Sequence, residues 1–290
     1  MSTNKVALVT GASRGAGAGI ARGFGELGYT VYVTGRTATP GDAKGWDGTV
    51  LPGTVAETAQ AVTERGGKGI AVMCDHSDDA QVAALFERIE REQGHLDVLV
   101  NNATYIHHQL IEKKPFWEKE LDAARILDVG LRSAYVASWH AARMMVKRGS
   151  GTIAFGSSFG GSCYMHGPAY GAQKAGIDKF AHDMEHDLRG TGVIAVSIWM
   201  GPLVTERSLI AQKTNPEQYE GFIDAAENPE FTAHIIDAIA NAPNRDELSG
   251  QTLIGAEIAR ELGVTDRGKE KPSYRDMLGS PHPKNPAAVY

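Results

Sequence analysis

Seven short apolar runs rich in valine and isoleucine punctuate the chain, at residues 6–9, 31–33, 70–74, 98–100, 153–155, 193–198 and 253–254. Runs this short, apolar at consecutive rather than alternate positions, fit strands buried on both faces. Between them the apolar positions change to a spacing of three and four: Ile20, Phe24 and Leu27, then Val82, Leu85, Phe86 and Ile89, then Ile177, Phe180, Met184 and Leu188. That spacing lays one apolar stripe along a helix, and Ser77 supplies an N-cap for the second of them. Strand and helix in alternation predict an α/β fold, a doubly wound sheet of about seven parallel strands with helices on both faces. Ligands in such folds lie at the carboxyl ends of the strands.

Two stretches break the rhythm. Residues 37–53 hold four glycines and two prolines and read as a long loop, and residues 107–121 carry Pro115, Phe116 and Trp117 amid charges and read as an irregular excursion over the sheet. The last residues, 268–290, contain four prolines and little periodicity. The division expected is a single catalytic domain over 1–267 and an extended C-terminal arm over 268–290. At 290 residues, 42% hydrophobic and 22% charged, the chain can bury a sizeable core. A net charge of -6 gives no basic surface for a phosphate backbone, so nucleic acid is not expected as a partner. Cys74 and Cys163 lack CxxC spacing, and His107-His108 have no third ligand at a metal spacing, so neither a disulfide framework nor a metal site is expected. With no signal-like leader and no run of about 18 apolar residues, a membrane span is not expected and the cytoplasm is the default location.

Chemistry enters directly after the first run. Thr10-Gly11-Ala12-Ser13-Arg14-Gly15-Ala16-Gly17 sits between the first strand and the first helical stripe. A dinucleotide's pyrophosphate is held well at a helix N-terminus, where unpaired amides face it and glycine lets the backbone close in. Gly11, Ser13, Arg14, Gly15 and Gly17 are therefore candidates for the cradle of a Rossmann-like dinucleotide-binding unit. The second run ends in Thr34-Gly35-Arg36, without the acid that would bind the adenosine ribose hydroxyls. Arg36, joined by Arg14, offers donors to a 2′-phosphate instead, which favours NADP(H) over NAD(H). Asp75 and Asn102, past the third and fourth runs, lie near the same crevice, one suited to accept from an adenine amino group and the other to brace the loop backbone.

Tyr170 and Lys174 are four residues apart, hence on one face of a helix with about 5–6 Å between their Cβ atoms. A free phenol titrates near pH 10, and bringing it toward neutrality takes roughly three units, about 4 kcal/mol. A lysine ammonium and an oxidised nicotinamide, both positive, would supply it. A phenol so tuned can give its proton to a carbonyl oxygen as hydride reaches the carbon, or take one in reverse. Ser157 and Ser158 end the fifth run thirteen and twelve residues before Tyr170. Either hydroxyl can steady the substrate oxygen.

Taken together, TGASRGAG, Asp75, Asn101-Asn102-Ala103, the serine pair and YxxxK resemble the short-chain dehydrogenases/reductases in order and spacing over residues 5–205. Gly130-Leu131-Arg132, the stretch Pro115 to Glu118 and the tail resemble the member 1-like group of that family. The resemblance implies that Tyr170 is the general acid/base and that Lys174 binds the nicotinamide ribose and lowers the tyrosine pKa. It implies further that Ser158 steadies the substrate, that Thr205 meets the nicotinamide carboxamide, and that the chain forms a homodimer or homotetramer. Three departures stand out: Thr104 replaces the last glycine of NNAG, Gly130 replaces an asparagine common in the family, and Met200-Gly201 replaces PG.

The activity expected is NADP(H)-dependent interconversion of a carbonyl compound and its alcohol. One alternative is a nucleotide-binding protein of the same fold with little turnover, since fold does not guarantee chemistry. Another is a serine hydrolase, because Gly156-Ser157-Ser158-Phe159-Gly160 fits GxSxG with His182, His186 or His234 as base.

Overall fold

A computed structural model describes residues 4–45, 48–214, 216–217, 225–285 and 287–290. Each apolar run becomes a strand: β1 (Val6–Val9), β2 (Thr30–Gly35), β3 (Lys68–Met73), β4 (Val98–Asn101), β5 (Gly151–Ser157), β6 (Val193–Trp199) and β7 (Thr252–Ile254). They form one parallel sheet in the order β3-β2-β1-β4-β5-β6-β7. The chain winds outward from β1 through β2 to β3, then returns to β4 beside β1. The strand order reverses there, and a crevice opens at the carboxyl ends.

Helices cover both faces: α1 (Gly15–Glu26), α2 (Val55–Glu64), α3 (Asp79–Gln93), α4 (Ser133–Arg148), α5 (Pro168–Leu188), α6 (Glu206–Thr214) and α7 (Pro229–Asn241). Alternate strand residues feed two cores. Val9, Val33 and Val100 join Ile20, Phe24, Phe231 and Ile235 on one face, while Leu8, Leu99 and Phe155 join Val82, Phe86, Met145 and Ile177 on the other. Fully burying one such aliphatic or aromatic side chain stabilises the fold by about 1.5–3 kcal/mol. This explains why the runs are apolar at consecutive rather than alternate positions.

One cap differs from expectation. Asp78, not Ser77, caps α3, its Oδ1 accepting from the amides of Ala80 and Gln81. Ser77 instead donates its amide and hydroxyl to Oδ1 of Asp75, because the chain is still turning at that residue. The glycine-rich loop at 37–53 is pinned by Arg14, which donates to the carbonyls of Pro52 and Gly53 and to Thr37 Oγ1. In the tail, Lys271 donates to the Ala226 carbonyl and pairs with Asp266 at 3.3 Å, Arg275 pairs with Glu257, and the Tyr290 hydroxyl lies 2.7 Å from His186 Nε2.

Candidate active site

A cleft of about 850 Å³ lies over the carboxyl ends of the strands, at the reversal of strand order. It brings together every residue singled out from the sequence: Gly11, Ser13, Arg14, Gly15, Gly17, Arg36, Asp75, Asn102, Ser158, Tyr170, Lys174 and Thr205. The cradle after β1 has no spare room. Gly11 takes φ 65°, and a Cβ on Gly17 would stand 2.4 Å from both Asn102 Nδ2 and the Gly11 carbonyl oxygen. Asn102 holds the two strand ends together, donating its amide to Thr10 Oγ1 at 2.9 Å and its Nδ2 to the carbonyls of Thr10 and Gly11. The first turn of α1 thus points its amides, one of them engaged by Glu206, at a cleft whose walls are pressed close. That geometry fits a pyrophosphate.

On the adenosine side, Arg36 and Asp75 lie 4.0 Å apart at the rim. The seryl donors of Ser77 and the nearby Arg36 guanidinium hold the Asp75 carboxyl below its usual range against its partial burial. Beneath them is a group that sequence reasoning missed. His76 is buried, its Nε2 is 2.8 Å from Thr34 Oγ1, and burial pushes its pKa down to about 4. The floor there is uncharged near neutrality.

At the other end, α5 brings Tyr170 and Lys174 to the cleft. Pro168 opens the helix and Gly167 (φ 108°) with His166 (φ 60°) turns the chain into it. Tyr170 OH lies 2.9 Å from Ser158 Oγ, which also accepts from the Gly160 amide at 3.3 Å. Lys174 lies one turn on, its Nζ 5.5 Å from the phenol ring centre and donating to the Gly156 carbonyl at 3.0 Å. The neighbouring serine faces the other way: Ser157 is fully buried, its Oγ 3.5 Å from the Lys174 carbonyl oxygen. Neither serine hydrogen-bonds a histidine among the described residues; His186 is paired with Tyr290 and His234 with Glu26. A nucleophile elbow has no base here.

Burial dominates the electrostatics. It lowers the Lys174 pKa to about 8 against the raising field of Asp178, and raises that of Tyr170 against the opposing Ser158 hydrogen bond. Asp178 was also missed from the sequence, although it stands one further turn along the same helix. It accepts from Ser197 Oγ at 2.6 Å and Trp199 Nε1 at 2.9 Å. His166 and Glu206 join the cleft wall.

The chain also matches the short chain dehydrogenase family profile over residues 5–215. It belongs to the short-chain dehydrogenase/reductase family. "Dehydrogenase/reductase SDR family member 1" of Mus musculus is 39% identical over 274 residues, covering 90% of this chain and 83% of that protein, and the Homo sapiens counterpart matches equally. A 3-oxoacyl-[acyl-carrier-protein] reductase of Synechocystis is 30% identical over 255 residues, covering 87% and 95% of the two chains. In fold, a crystallised short chain dehydrogenase from Mycobacterium thermoresistibile superposes with a TM-score of 0.73 at 22% identity, covering 92% of each chain. Membership in this family of oxidoreductases implies a nicotinamide cofactor and a small-molecule substrate. No helix among the described residues is long and apolar enough to cross a membrane.

The departures from the short-chain dehydrogenase/reductase pattern have visible causes. Thr104 keeps a negative φ, so the lost glycine costs no backbone strain. Gly130 sits in a break before α4 at φ 143° and ψ −39°, where a Cβ would stand 3.1 Å from Thr104 Oγ1 and 3.2 Å from Gln173 Cγ. Its carbonyl accepts from Gln173 Nε2 at 2.9 Å. One three-residue group has the make-up of a metal site: His107, His108 and Glu120 bring ligand atoms within 4.8 Å of one another. His107 Nδ1, however, accepts from the Gln109 amide at 3.2 Å, which leaves the proton on Nε2, the nitrogen facing Glu120. The group is a polar clasp on the excursion. Segment 203–227 falls partly outside the described residues.

Proposed function

We propose that this protein is an NADP(H)-dependent oxidoreductase interconverting a carbonyl compound and its alcohol, with Tyr170 as general acid/base. The 2.9 Å contact between Tyr170 OH and Ser158 Oγ carries this reading, because it sets two hydroxyls around one point in the cleft where a substrate oxygen can rest. Ser158, held by the Gly160 amide, orients that oxygen. Tyr170, neutral because burial raises its pKa, keeps a proton to give in the reductive direction. Lys174 then supports the charge left on the phenol and offers donors to a ribose. When bound, the nicotinamide supplies the hydride; the residues of the chain only bind, orient and move the proton.

Arg36 at the rim, together with the absence of an acid at the end of β2, supports NADP(H) as the partner nucleotide. Tyr170→Phe is expected to abolish NADPH-coupled reduction of a carbonyl-compound panel while leaving NADPH affinity within a few-fold. Unchanged turnover would remove Tyr170 from the role. Bound NADPH that no carbonyl oxidises would instead favour a nucleotide-binding protein without turnover.

A further inference from the structure

Glu206, the first residue of α6, reaches across the cleft to the opening turn of α1, where its Oε2 accepts from the Gly15 amide at 3.0 Å. α1 lacks a cap of its own: Arg14 at the N-cap makes no side-chain capping bond, and the first turn holds no acid. Arg14 and Arg207 both lie within the field of the Glu206 carboxylate and of each other. The place is therefore an anion seat, made by a helix N-terminus and two guanidinium groups, and a carboxylate from 191 residues away is sitting in it.

The inference rests on the dinucleotide reading of the cleft, in which this seat takes the pyrophosphate. Two anions at one helix terminus repel, and the seat holds one. We propose that Glu206 is an internal competitor for the pyrophosphate, a residue that sets cofactor affinity from outside the glycine turn. Cofactor entry expels the carboxylate and frees α6 from α1. Ser208 and Ala211 of α6 line the same cleft as Tyr170, so the wall on the substrate side is released only once the cofactor is in place.

Glu206→Gln and Glu206→Ala test this in the full-length chain, the first keeping a neutral capping oxygen in case the second folds poorly. Calorimetry with ADP-ribose and with NADPH, both carrying a pyrophosphate, is expected to give binding about three- to tenfold tighter in each variant, the worth of one carboxylate at a helix N-terminus. Adenosine 2′-phosphate, which lacks the pyrophosphate, is expected to bind all three proteins alike. Hydrogen exchange across residues 206–213 should rise when ADP-ribose is added to the wild type and be high from the start in Glu206→Ala. Equal or weaker ADP-ribose binding by the folded variants, with exchange in that helix unmoved by ligand, would make Glu206 a permanent cap and overturn the proposal while leaving the dinucleotide reading intact. If neither ADP-ribose nor NADPH binds any of the proteins, the reading of the cleft fails with it.

Discussion

Two adjacent hydroxyls at the end of β5 have opposite work. Ser157 is still in the strand and points into the layer under α5, whereas Ser158 has left it and points into the cleft. Ser158→Ala is expected to lower turnover by about 10²-fold, as for loss of one donor to a reacting oxygen. Ser157→Ala should cost mainly stability, about 1 kcal/mol for a buried hydrogen bond. Parallel kcat and thermal-unfolding measurements check the split; equal losses of activity would contradict it. Spacing alone left both serines open, because a strand's end is uncertain by a residue and one residue reverses a side chain; only the family resemblance favoured Ser158. The reading of Arg36 rests on what is missing beside it, an acid at the end of β2. Arg36→Asp is expected to move the ratio of NADPH to NADH kcat/KM toward NADH by an order of magnitude or more, and an unmoved ratio would take the phosphate from Arg36.

On the scale of elements, α5 carries the most chemistry. Tyr170, Lys174 and Asp178 follow one another at four-residue intervals along it, from the cleft into the protein. Burial has brought Lys174 from its ordinary 10.5 down to about 8, so its cation is present below about pH 8 and lost above. The rate of reduction should fall as pH climbs through that value. Asp178→Asn removes the carboxylate that raises the lysine, and the fall should shift to lower pH. A pH–kcat profile that keeps its midpoint in the variant would sink this coupling. Periodicity exposed α5 and the YxxxK pair, since both are local patterns. The break at residues 127–132 and the clasp of His107, His108 and Glu120 escaped because they depend on contacts between segments, which no window along the chain contains. The Ser77 cap was misplaced by one residue for the reason that governs most helix starts: several neighbouring polar residues qualify and the turn geometry chooses.

For the molecule as a whole, the sheet and its crevice were legible because strands buried on both faces are rich in consecutive apolar residues, and the inner strands β1, β2, β4, β5 and β6 are buried along their whole length. The contacts that fasten the tail were not. Glu227, between the cleft segment at Leu203 and the pair Asp266–Lys271, is buried, and the Gly201 amide approaches its carboxylate without completing a well-formed hydrogen bond. Burial, with Asp266 adding to it, raises its pKa from 4.5 to about 7, partly offset by the Gly201 amide and Lys271. The folded chain therefore keeps a proton that the unfolded chain gives up near 4.5. This contribution to stability is whole at low pH and is lost as pH rises through about 7, by up to about 3 kcal/mol. Glu227→Gln should raise the unfolding temperature at pH 8 by several degrees and leave it little changed at pH 5. An equal effect at both pH values, followed by circular dichroism, would refute the titration.

The adenosine end of the crevice divides sharply by depth. Arg36 and Asp75 stand at the water's edge, with side chains 57% and 32% exposed, above an imidazole that carries no charge near neutrality and is sealed off from solvent. Exchanging one rim residue for another disturbs no packed layer. On the proposed reading, evolution or an engineer could redirect such an enzyme from one pool of reducing equivalents to the other by editing its shoreline, without touching the bedrock that holds the phenol in place.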